Sequence, residues 1–162
     1  MKRTFKAAVI ASVAVAIAAA VALATPGIGI LSAPVVARGT IAEPLKVHSD
    51  AQIKLQTKDA VDVVTQQIVL APGGTTGWHS HPGPVLVTVK SGQLTIVYAD
   101  EPTCVGRTYT AGESFVDHGD EHVHTAFNDG GTNTELWATY LVPGAPGAPQ
   151  RLDAAAPGTC AF

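Results

Sequence analysis

Gly73-Gly74-Thr75-Thr76-Gly77-Trp78-His79-Ser80-His81-Pro82-Gly83-Pro84-Val85-Leu86-Val87-Thr88-Val89-Lys90-Ser91-Gly92 is the stretch on which the reading of the fold turns. It starts and ends in glycine, carries two histidines two residues apart, and runs into a β-branched segment. On a strand, residues i and i+2 face the same side, so His79 and His81 present both imidazoles to one point. Val85–Lys90 has strand composition, and Ser91-Gly92 fits a hairpin turn into a second strand, Gln93–Tyr98.

The same grammar extends outward. Val61–Leu70 precedes an Ala71-Pro72-Gly73-Gly74 turn, and Ala99-Asp100-Glu101-Pro102 follows Tyr98. Then come Arg107–Thr110, a turn at Gly112, Ser114–Asp117, His122–Asn128, a turn at Asp129-Gly130-Gly131, and Thr134–Val142. Nothing after residue 37 sustains a 3.6-residue period, so no long helix is expected there. With 16 Gly and 11 Pro in 162 residues, the chain reads as all-β, with seven to nine short strands in a sandwich, jelly roll or barrel. No internal repeat and no second domain are evident. The expected division is an export segment over residues 1–37, an arm and first strand over 38–60, a barrel over 61–142, and a Pro/Gly-rich tail over 143–162. Residues 38–45 and 143–162 read as extended arms.

Lys2, Arg3 and Lys6 precede an uncharged, Ala-rich run from Ala7 to Ala24, the pattern of a secretory signal with cleavage after Ala24 or Ala37. A retained membrane anchor is the alternative, because the run approaches the length that spans a bilayer. Removing residues 1–37 leaves seven cations against thirteen acids. That balance excludes a nucleic-acid binder and a polybasic membrane-surface module; contact with a membrane is expected only if the segment stays uncleaved. The only two cysteines, Cys104 and Cys160, lie in the exported part, and an even count outside the cytosol suggests one bridge between them.

Five of the six histidines fall between positions 79 and 124, and His122 and His124 repeat the i, i+2 spacing of His79 and His81. Two such pairs on neighbouring strands of a small barrel would converge, and neutral imidazole is a good ligand for Mn, Fe, Zn, Ni or Cu. Here the sequence resembles the cupin superfamily, in its small single-domain secreted form. Gly73, five residues, His79-Ser80-His81 and then Gly92 match the spacing of the first cupin motif; Gly112, His124 and Asn128 echo the second. The resemblance covers Val61 to Val142. It implies a double-stranded β-helix (jelly-roll) with a divalent transition metal in its mouth, held by His79, His81 and His124.

Two positions depart from the pattern. Val85 stands where the first motif has a ligand Glu, and His118-Gly119-Asp120-Glu121 replaces a Pro-x-Gly turn with one residue extra. A three-His site remains chemically sensible and leaves positions open for water or substrate. His122 and Glu121 are further candidates to complete the ligand shell, Asn128 to orient a ligand, and Glu113, Glu121 and Asp117 are the carboxylates available as a base. His118 reads as a rim residue and His48 as a surface one, while Trp78, Tyr98, Trp137 and Tyr140 read as packing. Three functions stay open: an exported metal-dependent oxygenase or isomerase of a small molecule, a non-catalytic small-ligand or metal-binding protein for sensing or storage, and a structural module with a relic cluster. The apolar Val85 suits a weakly charged ligand. Pairing of sheet edges into a homodimer is a further expectation.

Overall fold

Along Thr134–Pro143 the buried residues are Thr134, Leu136, Ala138, Tyr140 and Val142, every second one, which is the signature of a strand with one face on a core. Val85, Val87 and Val89 alternate in the same way with exposed Leu86, Thr88 and Lys90. The computed structural model describes residues 24–50 and 52–160; of the expected export segment over residues 1–37, residues 1–23 lie outside the described residues.

Thirteen strands are described: β1 (Ile28–Ser32), β2 (Val35–Ile41), β3 (Lys46–His48), β4 (Lys54–Gln56), β5 (Val61–Thr75), β6 (His79–Ser80) and β7 (Val85–Ser91), followed by β8 (Gln93–Tyr98), β9 (Arg107–Thr110), β10 (Ser114–Asp117), β11 (His124–Phe127), β12 (Thr134–Pro143) and β13 (Leu152–Asp153). The described residues contain no helix. Strands β3 and β4 form a separate hairpin. The other eleven form one antiparallel sheet curled into two walls. One wall runs β10-β7-β12-β5 and is extended by β2 and β1 on β5; the other runs β9-β8-β11-β6-β13. The long β5 passes from the first wall to the second, where Thr75 pairs with Phe127. This is a double-stranded β-helix. Its interior is filled by Val64, Leu70, Val85, Val87, Val89, Leu94, Ile96, Ala126, Leu136, Ala138, Tyr140 and Val142.

Several boundaries differ from expectation. The Ala71-Pro72-Gly73-Gly74 stretch continues β5 as a bent strand. The absent N–H of Pro72 falls where the β1 pairing is irregular, and Gly73 takes a left-handed φ of 73° that a side chain would oppose. Strand β11 begins at His124, two residues later than expected, because Gly119, Asp120 and Glu121 all have positive φ and turn the chain sharply before it. That turn holds the extra residue, and Gly119 is required there because a Cβ would collide with the backbone of Gly83.

The segments expected as arms are built into the barrel. Strand β2 pairs with β5 from Val35 to Ile41, and Thr25 N–H donates to the Ala154 carbonyl. Arg38 donates to Asp62 at 2.9 Å, the Ala148 carbonyl at 3.1 Å and Gln150 at 2.9 Å, while Gly147 N–H donates to Asp62 at 2.8 Å. The tail is thereby strapped across the barrel. Its end is fixed by a Cys104–Cys160 disulfide, which lies over the outer face of the second wall. There Cys160 joins Trp78 and Val97 in a second small core, so β8 is buried on both faces.

Candidate functional site

His79 on β6 and His124 on β11 are direct cross-strand partners, which sets their side chains next to each other on one face. His81, two residues on, joins them from the same side. The ring centroids are 4.4 Å apart for His79 and His124, 4.8 Å for His79 and His81, and 5.2 Å for His81 and His124. All three residues are buried, and one nitrogen from each lies within 4.8 Å of the others.

Hydrogen bonding settles which nitrogen is offered. His79 Nδ1 lies 2.8 Å from the Gly77 carbonyl, His81 Nδ1 2.7 Å from the Gln150 carbonyl, and His124 Nδ1 3.2 Å from the His122 carbonyl. A carbonyl oxygen only accepts, so each Nδ1 carries the proton and each neutral ring keeps its lone pair on Nε2. Burial pushes all three imidazoles toward the neutral form: His79 well below its ordinary value, His81 to about 4, and His124 also downward. Three neutral, pre-oriented imidazoles in one barrel are a donor set that fits a divalent transition ion and no hard, oxygen-seeking one.

Asp117 at the end of β10 is fully buried beside the cluster. Its Oδ2 lies 3.3 Å from His124 Nδ1 and accepts from the Tyr98 hydroxyl at 3.2 Å; its Oδ1 accepts from Gly119 N–H at 2.8 Å. Tyr98 and Tyr140 flank the site, with ring centroids 5.6 Å from His124 and 5.2 Å from His81. Burial raises the pKa of both phenols, Tyr140 to about 12, so both stay protonated donors at neutral pH. Arg151 bonds the Thr76 carbonyl at 2.9 Å and adds positive potential that further disfavours imidazolium.

Two spaces adjoin the cluster. An inner cavity of about 50 Å³ is lined by the three histidines, Val85, Asp117 and Tyr140 among others. It has room for little more than an ion with one or two water-sized ligands. Beyond it an open mouth of about 660 Å³ is lined by Tyr98, Arg107, Tyr109, Phe115, His118 and His122, with acidic Asp100 and Glu101 at its edge. Ile96 and Phe115 line both spaces.

The remaining candidates stand elsewhere. The His122 ring is exposed, 3.8 Å from Asp100, and only its carbonyl serves the cluster, by orienting His124. Glu121 is exposed in the turn, and Glu113 caps its own hairpin by accepting from Thr110. Asn128 is buried but donates to the Leu70 and Thr132 carbonyls and accepts from Gly130 N–H, so it ties a turn together. His118 borders the mouth and His48 lies exposed on β3, as expected. Trp78 packs in the outer core and Tyr140 in the inner one. Gln150 and Arg151 were not visible as site residues: they lie 69 or more positions from His81 along the chain, in a Pro/Gly-rich stretch without a motif.

No protein-family model matches the sequence, and no curated protein matches it. Among solved structures the chain is similar to a conserved protein with a double-stranded β-helix domain from Klebsiella pneumoniae (23% identity, 70% of this chain and 86% of that one, TM-score 0.46). It is also similar to a cupin superfamily protein from Desulfitobacterium hafniense (11% identity, 70% and 84%, TM-score 0.44) and to oxalate oxidase in complex with glycolate (28% identity, 52% and 44%, TM-score 0.44). The barrel has the double-stranded β-helix architecture that the sequence resemblance implies. Relative to the cupin pattern, its one missing ligand position, Val85, is part of the apolar lining, 1% exposed.

Proposed function

We propose that this cupin binds one divalent transition metal through His79, His81 and His124 and presents it to a small, weakly charged molecule entering by the mouth. The observation that carries the reading is the hydrogen-bond pattern: three backbone carbonyls hold three Nδ1–H groups, which leaves three Nε2 lone pairs for one ion. Such an ion would supply Lewis acidity and, if redox-active, a place for electrons. The chain's own residues would orient it, exclude bulk water by Tyr140 and Val85, and keep the Tyr98 hydroxyl, on the mouth wall, donating to Asp117 in the cavity. The mouth sets Tyr98, Tyr109, Phe115 and Val105 beside Arg107, two histidines and the acids Asp100 and Glu101. That lining suits a small molecule with both an apolar body and a polar group, and the two acids disfavour a polyanion. Oxygenation or isomerisation of such a molecule is the reaction class.

A second reading, metal or small-ligand binding without turnover, is favoured by the small inner cavity, which takes a ligand atom pair and no whole substrate. Work in an oxidising compartment outside the cytoplasm agrees with the disulfide and with the Lys2-Arg3…Ala24 segment. The deciding experiment is metal analysis of protein purified without chelator or nickel resin, followed by titration of Mn(II), Fe(II), Zn(II) and Cu(II). One ion per chain, lost on replacing any of the three histidines and unaffected by His48→Ala, is expected. An unchanged melting temperature with every ion refutes the metal reading. Dioxygen uptake by the Fe(II)-loaded protein with small phenols, thiols or diketones separates the enzyme from the binding protein.

A further inference from the structure

A dication held by three neutral imidazoles brings two positive charges into the barrel, and charge buried without compensation is costly. Two carboxylates are buried among the described residues, Asp62 and Asp117. Asp62 is ion-paired with Arg38. Among the described residues Asp117 meets no Lys or Arg: its partners are the Tyr98 hydroxyl, the Gly119 N–H and the neutral ring of His124. It is a buried acid with donors around it and no fixed cation.

Strand register explains where it points. Asp117 is the cross-strand partner of Val85 on β7, and Val85 is the partner of Tyr140 on β12. Directly paired residues of antiparallel strands project to the same face, so Asp117, Val85 and Tyr140 form one inward row opposite the histidines. All three line the inner cavity. The position that the cupin pattern gives to a carboxylate is apolar here, and a carboxylate occupies the adjacent position in the same row, one strand away.

We infer that Asp117 is a positioning residue that supplies the site's negative charge at one remove, through His124. His124 Nδ1–H bonds the His122 carbonyl at 3.2 Å, and the same nitrogen also has a carboxylate oxygen, Asp117 Oδ2, 3.3 Å away; the Nδ1 atoms of His79 and His81 have carbonyls as their partners. A carboxylate behind the ring makes Nε2 more basic and holds the ring in place, so His124 is the strongest donor of the three. Tyr98 holds the other side of the same oxygen and thereby links the anion to the mouth. This inference rests on the metal reading proposed above.

The test is Co(II) and Zn(II) binding, by competition with a chromophoric chelator, to the full chain and to D117N, with the urea unfolding midpoint of each metal-free protein measured in parallel. D117N is expected to bind both ions about 10–100-fold more weakly. Its metal-free midpoint should be unchanged or higher, because a buried charge has been removed, and its Co(II) absorption bands should shift as the His124 donor changes. A merely structural role predicts the opposite pattern, a lower midpoint with unshifted bands, and overturns the inference. Affinity within threefold of wild type also overturns it. If the wild type binds neither ion, the metal reading itself fails, which is a different result. A measurement on the wild type needs no variant: in the Zn(II)-loaded protein the His124 Nδ1–H proton should resonate downfield of those of His79 and His81, and three equivalent shifts overturn the assignment.

Discussion

Taking the metal-free protein from pH 7 to pH 5 should cost about 2 kcal/mol of folding stability through His81 alone, with further loss from its two neighbours in the cluster. Burial depresses the pKa of His81 to about 4 and holds that of His79 well below its ordinary value, against about 6.5 in an unfolded chain. A group whose pKa is depressed by folding takes up its proton in the unfolded state first. Stability is therefore full above pH 6.5 and falls as pH drops toward the folded value. At pH 5 the unfolded state gains from protonating the His81 ring about 1.5 pH units below its pKa, or about 2 kcal/mol, and the folded state gains almost nothing. His79 and His124 add to the loss in the same direction. The acids do not confuse this window. Asp62, Glu101, Glu113, Asp129 and Glu135 are held below their usual values mainly by hydrogen bonds, so their contribution is lost only below about pH 4.5. Urea unfolding at pH 7, 6 and 5, at constant ionic strength and with chelator present, measures the slope, and His81→Asn should remove about 2 kcal/mol of the loss. Equal stability at pH 7 and 5, or an undiminished slope in the His81 variant, would refute the account of the cluster as buried and neutral.

Reducing the Cys104–Cys160 bridge, which spans 56 residues, should lower stability by about 4 kcal/mol on chain-entropy grounds, read as a shifted urea midpoint with and without reductant. Val85→Glu places a second carboxylate directly across from Asp117; the metal-free protein should melt lower, and added Mn(II) should restore more stability than it gives the wild type. Protein starting at Thr25 should fold, whereas protein starting at Arg38 loses β1 and half of β2 from the β5 edge and should precipitate or melt much lower, as light scattering and calorimetry will show. Arg38→Ala frees Gln150, whose carbonyl orients His81, and should weaken metal binding several-fold in a chelator competition assay.

Local pattern determined much of this protein. Alternation along Thr134–Val142 and Val85–Lys90, with glycine and proline between runs, dictates strands, because side chains on a strand alternate faces and one face must be buried. The same period of two puts His79 and His81 on one side, so the pair was legible without coordinates. The cysteine pair was legible from its count and context. Only the tertiary structure decided between His122 and His124: both satisfy the spacing, but the left-handed turn over Gly119–Glu121 delays β11, and register with His79 then selects His124. It likewise brought Asp117 behind His124 and the Gln150 carbonyl behind His81, and turned Asn128 to a turn-holding task. Those relations join residues on different strands or on a tail strapped across the barrel. Strand partnership depends on how the whole sheet curls, and no local period in the chain encodes that.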